Sequence, residues 1–292
     1  MTELPLDQVR TLLAVVDEGT FDAAAAALHV TPSAVSQRVK ALEQRTGSVL
    51  VTRTKPVRLT ESGQVVVRFG RRLAALEQET RAELGGTGEP VRVPIAVNAD
   101  SLATWFLPAL ARVPDVCFEL HREDQDHTTT LLREGTVMAA VTSSATPVQG
   151  CSARLLGHLR YLPLASPSFA ARRLTGALLD DLARSPVVMF DRRDDLQDRF
   201  IRTLGGRRAS ELRHYVPASE VFVEAVVAGL GWGMVPEEQA APRLRSGTLV
   251  PLASTAVEVP LYWQQWKLDL PALSAVASAV AEVAAASLRR VS

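Results

Sequence analysis

Residues 21–58, FDAAAAALHVTPSAVSQRVKALEQRTGSVLVTRTKPVR, admit few folds. Val35, Val39 and Leu42 recur at i, i+4 and i+7, the mark of a single apolar helix face. Ser33, Ser36, Gln37 and Lys40 fall on the other sides of that helix, on short or straight stems that can reach base edges in a major groove. The preceding alanine run, Ala23 to Ala27, lets two helix backbones approach closely. His29-Val30 makes the turn, Thr31 is placed to cap the second helix, and Pro32 takes the first helical position, where a missing N–H costs nothing. Gly47 ends that helix. Two helices joined in this way form a helix-turn-helix, and double-stranded DNA is the first partner to consider.

The flanks complete this unit. Leu6 to Glu18 predicts a first helix with Leu6, Val9, Leu12, Leu13 and Val16 on one face, ended by Gly19, with Thr20 as the cap of the next. Val49–Thr52 and Val57–Thr60 predict a two-stranded wing with Arg53-Thr54-Lys55-Pro56 at its tip. The net charge of the whole chain is zero, which by itself argues against nucleic acid. Between Thr31 and Arg58, however, Arg38, Lys40, Arg45, Arg53, Lys55 and Arg58 oppose only Glu43. Phosphate contact needs a local basic footprint of this kind and not a basic protein.

Thr60-Glu61-Ser62-Gly63 opens a long helix to about Leu84, with Val66, Val67, Leu73, Leu76 and Leu84 as an apolar seam. Arg68, Arg71, Arg72, Glu77, Glu79 and Arg81 fall outside it. Such a helix has no domain of its own, so pairing with a second copy is the simplest way to bury the seam. Gly85 to Pro90 reads as a linker.

Beyond it strands and helices alternate. Val91–Val97, Val116–Leu120 and Val137–Thr142 predict strands, with helices at Leu102–Arg112 and Thr128–Glu134 between them, a βαβαβ pattern that implies a parallel sheet. Residues 161–266 repeat the idea with strands at Val187–Phe190, near Leu212–Val216 and at Gly231–Val235, and helices from Leu196 and Ser219. Leu273–Leu288 closes the chain as a helix returning to the first lobe. The fold class is therefore α/β with an all-α N-terminal part. Residues 1–60 form the winged helix-turn-helix, 61–86 the linker and dimerisation helix, and 91–292 a two-lobed domain. Lobe I takes about 91–160 and 267–292, and lobe II about 161–266. A cleft between two such lobes suits a small ligand.

With 292 residues, 47% hydrophobic and 22% charged, the chain has ample material for ordinary cores. Cys117 and Cys151 lack metal-ligand spacing and predict buried free thiols of a reducing compartment. The acidic N-terminus is no signal peptide, and the Ala/Val-rich tail is too polar to span a bilayer. A cytoplasmic location with no membrane partner is expected.

The order of winged helix-turn-helix, long helix, Gly-rich joint and two α/β lobes resembles the LysR-type transcriptional regulators across essentially the whole chain. The N-terminal stretch FDAAAAALHVTPSAVSQRVKALEQRTGSVLVTR followed by LTESG carries the resemblance most specifically. Within that family VAVNADSLATWFLPAL, here beginning Pro94-Ile95-Ala96-Val97, HREDQDHT at His121–Thr128 and GLGWGMVPE at Gly229–Glu237 are similar to the ArgP/LysG branch. The resemblance implies a periplasmic-binding-protein-like effector domain, a basic amino acid (lysine or arginine) as effector, and activation of an amino-acid exporter or metabolic gene. It also implies a homodimer or tetramer on an interrupted palindrome, with RNA polymerase as a further partner.

On that footing Ser33, Ser36 and Gln37 face the major groove, where Gln can pair with adenine through two bonds. Thr31, Arg38 and Lys40 are placed for phosphates, and Arg53 for a narrow, AT-rich minor groove. The plainer alternative is a solvated polar helix face.

At the ligand end, the first strand runs into Asn98-Ala99-Asp100-Ser101 at a helix start, where free N–H groups and hydroxyls suit a carboxylate. Ser101 and Thr104 are candidates for the α-carboxylate, with Asn98 at the junction; the alternative is that Asp100 or Ser101 simply caps the helix. A cationic side chain needs acceptors. Glu123, Asp124 and Asp126 follow the second strand at its C-terminal end, and Asp124 is the first choice, with Asp191 and Glu220 from the second lobe. Thr142, ending the third strand, can contact either end of the ligand. Trp105 and Trp232 are assigned to packing.

No catalytic, metal or cofactor motif is present: GxSxG, HExxH, paired cysteines and a phosphate loop are all missing. Gly229 to Gly233 joins a helix to a strand, the reverse of a nucleotide fingerprint, and predicts close packing. The rival readings are a LysR-type regulator with a different effector, and an amino-acid-binding protein in which DNA binding is secondary. An enzyme is the weakest.

Overall fold

A computed structural model of the chain describes residues 4–84, 90–123 and 125–290, the side chains of residues 82, 83 and 125–127 excepted. Thr20 and Thr31 start the two motif helices, each with its hydroxyl oxygen accepting from the third residue beyond, Ala23 N and Ala34 N. The helices are α1 (Leu6–Asp17), α2 (Phe21–Ala27) and α3 (Pro32–Thr46). The turn after α2 places His29 at φ 54°, while Val30 N bonds Ala25 O and His29 N bonds Ala26 O. These are the paired bonds of a Schellman cap. The wing is shorter than its β-branched runs suggest, with two-residue strands β1 (Val51–Thr52) and β2 (Arg58–Leu59) paired antiparallel.

Helix α4 (Glu61–Glu83) begins under Thr60, whose Oγ1 accepts from Gly63 N at 3.0 Å and donates to Val49 O at 2.6 Å. A Cβ on Gly63 would sit 1.9 Å from Leu50 O, so only glycine lets α4 lie this close to the wing. The expected single seam is split. Val66 and Val67 are buried in the core of the helix-turn-helix unit, while Leu76 and Leu84 are exposed. Val65, Phe69 and Leu76 form a separate exposed stripe, because at 100° per residue they fall within one narrow sector of the helix.

The larger domain is built on β3 (Val91–Val97), α5 (Ala99–Ala103), α6 (Leu107–Leu110), β4 (Val116–Arg122), α7 (Gln125–Glu134) and β5 (Ala139–Thr142). β3 pairs in parallel with both β4 and β5, as the βαβαβ pattern requires. One expected helix, Leu102–Arg112, is in fact two short ones. Pro108 has no N–H for the Thr104 carbonyl, and the backbone leaves the helical region at Thr104 (φ −117°, ψ −87°).

The chain continues through the long β6 (Cys151–Ala165), α8 (Pro167–Arg173), α9 (Leu178–Arg184), β7 (Val187–Met189), α10 (Leu196–Thr203) and β8 (Arg213–Tyr215). Then come α11 (Ser219–Val227), β9 (Gly233–Pro236), α12 (Glu237–Arg245), β10 (Val250–Pro251), β11 (Val257–Trp266) and α13 (Pro271–Ser287). The large sheet runs β10-β6-β11-β5-β3-β4, with β9 also on β6. β6 and β11 pair along their length and extend into both lobes, so the expected boundary at 160/161 falls inside β6. α13 packs on α6, β3 and β6 of lobe I. Trp105 and Trp232 are buried in the shared core, and a Cβ on Gly231 would meet Pro186 O at 2.7 Å.

Cysteine burial was expected twice and is found once. Cys151 is buried, but Cys117 is exposed, because β4 is the edge strand and Cys117 alternates away from the face where Val116 and Phe118 meet the core. Among the described residues no helix is long and apolar enough to cross a membrane.

Candidate functional site

α3 buries Val35, Val39 and Leu42 completely against α1 and α2. That leaves Thr31, Ser33, Gln37 and Lys40 exposed, with Ser36 and Arg38 half-buried beside them. Thr31 spends its hydroxyl on the cap. Ser33, Ser36, Gln37, Arg38 and Lys40 make no side-chain hydrogen bond or ion pair with any described residue, so the stripe is available to a partner. Arg53 is held above the Phe21 ring, its guanidinium carbon 5.1 Å from the centroid. A cation over a ring face is attracted by the ring quadrupole, which restrains the side chain without an ion pair.

The second site is a cavity of about 390 Å³ in the larger domain. It lies beyond the C-terminal ends of β3, β4 and β7, where open α/β sheets place their ligands. Asn98 and Asp100 enter it after β3, Glu123 after β4, Tyr161 from β6, and the Phe190–Leu196 turn with Arg199 after β7. Asp100 is held by two side-chain hydroxyls. Its Oδ2 accepts from Tyr161 Oη at 2.7 Å and its Oδ1 from Ser219 Oγ at 2.6 Å. Burial raises its carboxyl above the ordinary range; the bonds from Ser219 and Tyr161 oppose this and Glu220 adds to it. The Tyr161 phenol is pushed well up, by burial first and by Asp100 next. Asp194 accepts from Phe190 N at 2.8 Å and Leu196 N at 3.0 Å, and burial raises it as well. Asp191 accepts from the backbone of Arg193 and Asp194, which shapes the acid-rich turn.

Of the residues expected here, Asn98, Glu123 and Asp191 line the cavity. Ser101 is fully buried and outside the lining, and Thr104 returns its hydroxyl to Asp100 O at 2.6 Å. Thr142 is buried at the end of β5, accepting from Ser144 N, and Glu220 is exposed, one residue round α11 from Ser219. Asp124 lies outside the described residues, as does the side chain of Asp126. Since α5 has only five residues, its N-terminus offers little of the dipole expected to hold a carboxylate. Sequence reasoning passed over Tyr161, Asp194 and Arg199, and treated Asp100 only as a cap. The run Asp191 to Asp195 behind a strand was the readable signal for Asp194; Tyr161 sits in a strand and carried none.

A winged helix-turn-helix on a long helix, joined to a cleft-bearing α/β domain, defines a ligand-responsive DNA-binding regulator. The chain belongs to the LysR family: residues 6–64 match "Bacterial regulatory helix-turn-helix protein, lysR family" and residues 88–285 match "LysR substrate binding domain". It is 46% identical over 283 residues to the lysine export transcriptional regulatory protein LysG of Corynebacterium efficiens, covering 96% of this chain and 97% of the relative. The crystal structure of ArgP from Mycobacterium tuberculosis superposes with a TM-score of 0.92 at 46% identity, over 97% of this chain and 98% of that one. Full-length LysG of Corynebacterium glutamicum, with arginine bound as effector, superposes with a TM-score of 0.83 at 42% identity, over 98% and 99%.

Proposed function

We propose that this regulator senses a basic amino acid, lysine or arginine, in the 390 Å³ cavity and controls an exporter or metabolic gene for it. The charge of the cavity carries the reading. Among the described lining residues Asp100, Glu123, Asp191, Asp194 and Asp195 outnumber Arg193 and Arg199, and the excess of acid remains when Asp195 is paired with Arg202 at 3.6 Å, so a cationic ligand is favoured over a neutral one. A basic amino acid brings one more cation, while its α-carboxylate suits the arginines. The arginine held by the C. glutamicum relative supports the same chemistry. The cavity binds and does not catalyse.

Ser33, Ser36 and Gln37 read bases, Arg38 and Lys40 hold phosphates, and Arg53 reaches the minor groove. The exposed Val65, Phe69 and Leu76 stripe supports pairing of two copies through α4, which presents two recognition helices to an interrupted palindrome. The assembly on DNA is a homodimer or a tetramer, with RNA polymerase as a further partner in the cytoplasm. Calorimetry with lysine, arginine, histidine and neutral amino acids tests the effector. Lysine or arginine must bind and neutral amino acids must not; equal or absent binding across the panel overturns the reading.

A further inference from the structure

Besides the Gln78 Nε2 to Pro90 O bond at 3.1 Å, helix α4 makes two contacts with the effector domain that lead toward the cavity, one on α7 and one at the start of β6. Arg68 and Arg72, expected among the outward charges of α4, instead face that domain. Arg68 is 9% exposed and donates from Nη1 to Arg133 O at 3.2 Å, in the last turn of α7. Gly135 follows with φ 75°, and a Cβ there would stand 3.0 Å from the Arg68 Cα, so the end of α7 is packed on the α4 backbone itself. Glu123, two residues ahead of α7, lines the cavity.

The second contact is built in the same way. Arg72 donates from Nη2 to Gly150 O at 2.9 Å, and its guanidinium carbon lies 5.5 Å from the Trp266 ring centroid. Gly150 immediately precedes β6, Trp266 ends β11, and the two strands pair there, Trp266 opposite Cys151. Further along β6, Tyr161 lines the cavity and bonds Asp100. Arg72 Nε is buried with no hydrogen-bond partner among the described residues, so this grip is held against a desolvation cost. At its other face α4 is part of the DNA-binding unit, with Val66 and Val67 in that core.

We propose that Arg68 and Arg72 are the positioning residues through which occupancy of the cavity reaches the DNA-binding domain, carried there by α7 and β6. A ligand drawing on Glu123 and on the Asp100–Tyr161 pair shifts the near ends of these two elements. Helices and paired strands are stiff, so the far ends move with them against α4 and bias its seating. This rests on the sensing role proposed above.

The test uses the full-length chain, L-arginine, and a duplex selected from a random pool by the wild-type protein. Calorimetry reads arginine binding; duplex affinity and bend are measured with and without saturating arginine. The double variant R68K/R72K keeps both charges but loses the guanidinium forks. It is expected to bind arginine and, without arginine, the duplex as the wild type does, while the arginine-induced change falls by about fivefold or more. Gly135→Ala, which keeps both arginines and pushes the end of α7 off α4, must uncouple likewise. Full coupling in either variant overturns the proposal, as does a wild type that binds arginine with no change in duplex affinity or bend. A wild type that binds no arginine instead overturns the sensing role on which the proposal rests.

Discussion

Ser219 Oγ, in the first residue of α11, lies 2.6 Å from Oδ1 of Asp100 beside β3, so a hydroxyl of one lobe is spent on a carboxylate of the other. With Tyr161 on its second oxygen, Asp100 is oriented from two sides before any ligand arrives. A preoriented acceptor loses little freedom on binding, which favours affinity for a matching cation.

Asp100→Asn keeps the shape and removes the charge. Arginine affinity is expected to fall by about 10- to 100-fold, the scale of a hydrogen bond to a charged group at about 1.5–3 kcal/mol. Calorimetry against the wild type measures this; a change below threefold would place the cation elsewhere in the cavity.

The raised carboxyls predict a pH dependence with a definite sign. Folding lifts Asp100 and Asp194 above their ordinary value of 3.8, so between that value and the folded one the folded chain holds more protons than the unfolded chain. Their contribution to stability therefore falls as pH rises through this window. A bound cation draws the carboxyls back down, so arginine affinity rises over the same window and binding releases protons. Calorimetry in buffers of different ionisation enthalpy reads that release, and Asp100→Asn should remove part of it.

Gly63→Ala forces a methyl to within 1.9 Å of the Leu50 carbonyl. Overpacking against backbone is expected to cost about 1–3 kcal/mol or more. Duplex binding and the helix-turn-helix melting transition should weaken, while arginine binding in the other domain persists.

Gln37→Ala and Lys40→Ala should separate sequence reading from charge. Loss of Gln37 is expected to cost about 1–3 kcal/mol on the selected duplex and little on random DNA. Loss of Lys40 should weaken both and lower the salt slope by about one. Fluorescence anisotropy across a salt series resolves the two.

Phe69→Arg and Leu76→Glu put charge into the exposed stripe of α4. If that stripe joins two copies, sedimentation should show a shift toward monomer, with duplex affinity falling as the second recognition helix is lost. An unchanged oligomer would move the interface to another surface.

The recognition unit was legible because its determinants are local. Caps at Thr20, Thr31 and Thr60, the Val35–Val39–Leu42 period and Gly47 each act within a few residues, where sequence distance and spatial distance agree. The cavity was legible only to its neighbourhood. Polar residues after β3, β4 and β7 pointed to the right loops, yet Ser101 faces the core and Thr104 returns its hydroxyl to Asp100 O, contacts that no local pattern announces. On α11, a 100° step separates Ser219, which bonds Asp100, from Glu220, which faces water.

Sequence alone determined the helices of the N-terminal unit, the βαβαβ start of the larger domain and the acidic character of the ligand loops, since periodicity, capping and charge are properties of short segments. Tertiary structure alone decided that Tyr161 meets Asp100 across 61 residues, and that Arg68 and Arg72 turn from solvent to grip the effector domain. Those contacts depend on how β6 and α7 cross the fold, and no local pattern encodes a crossing.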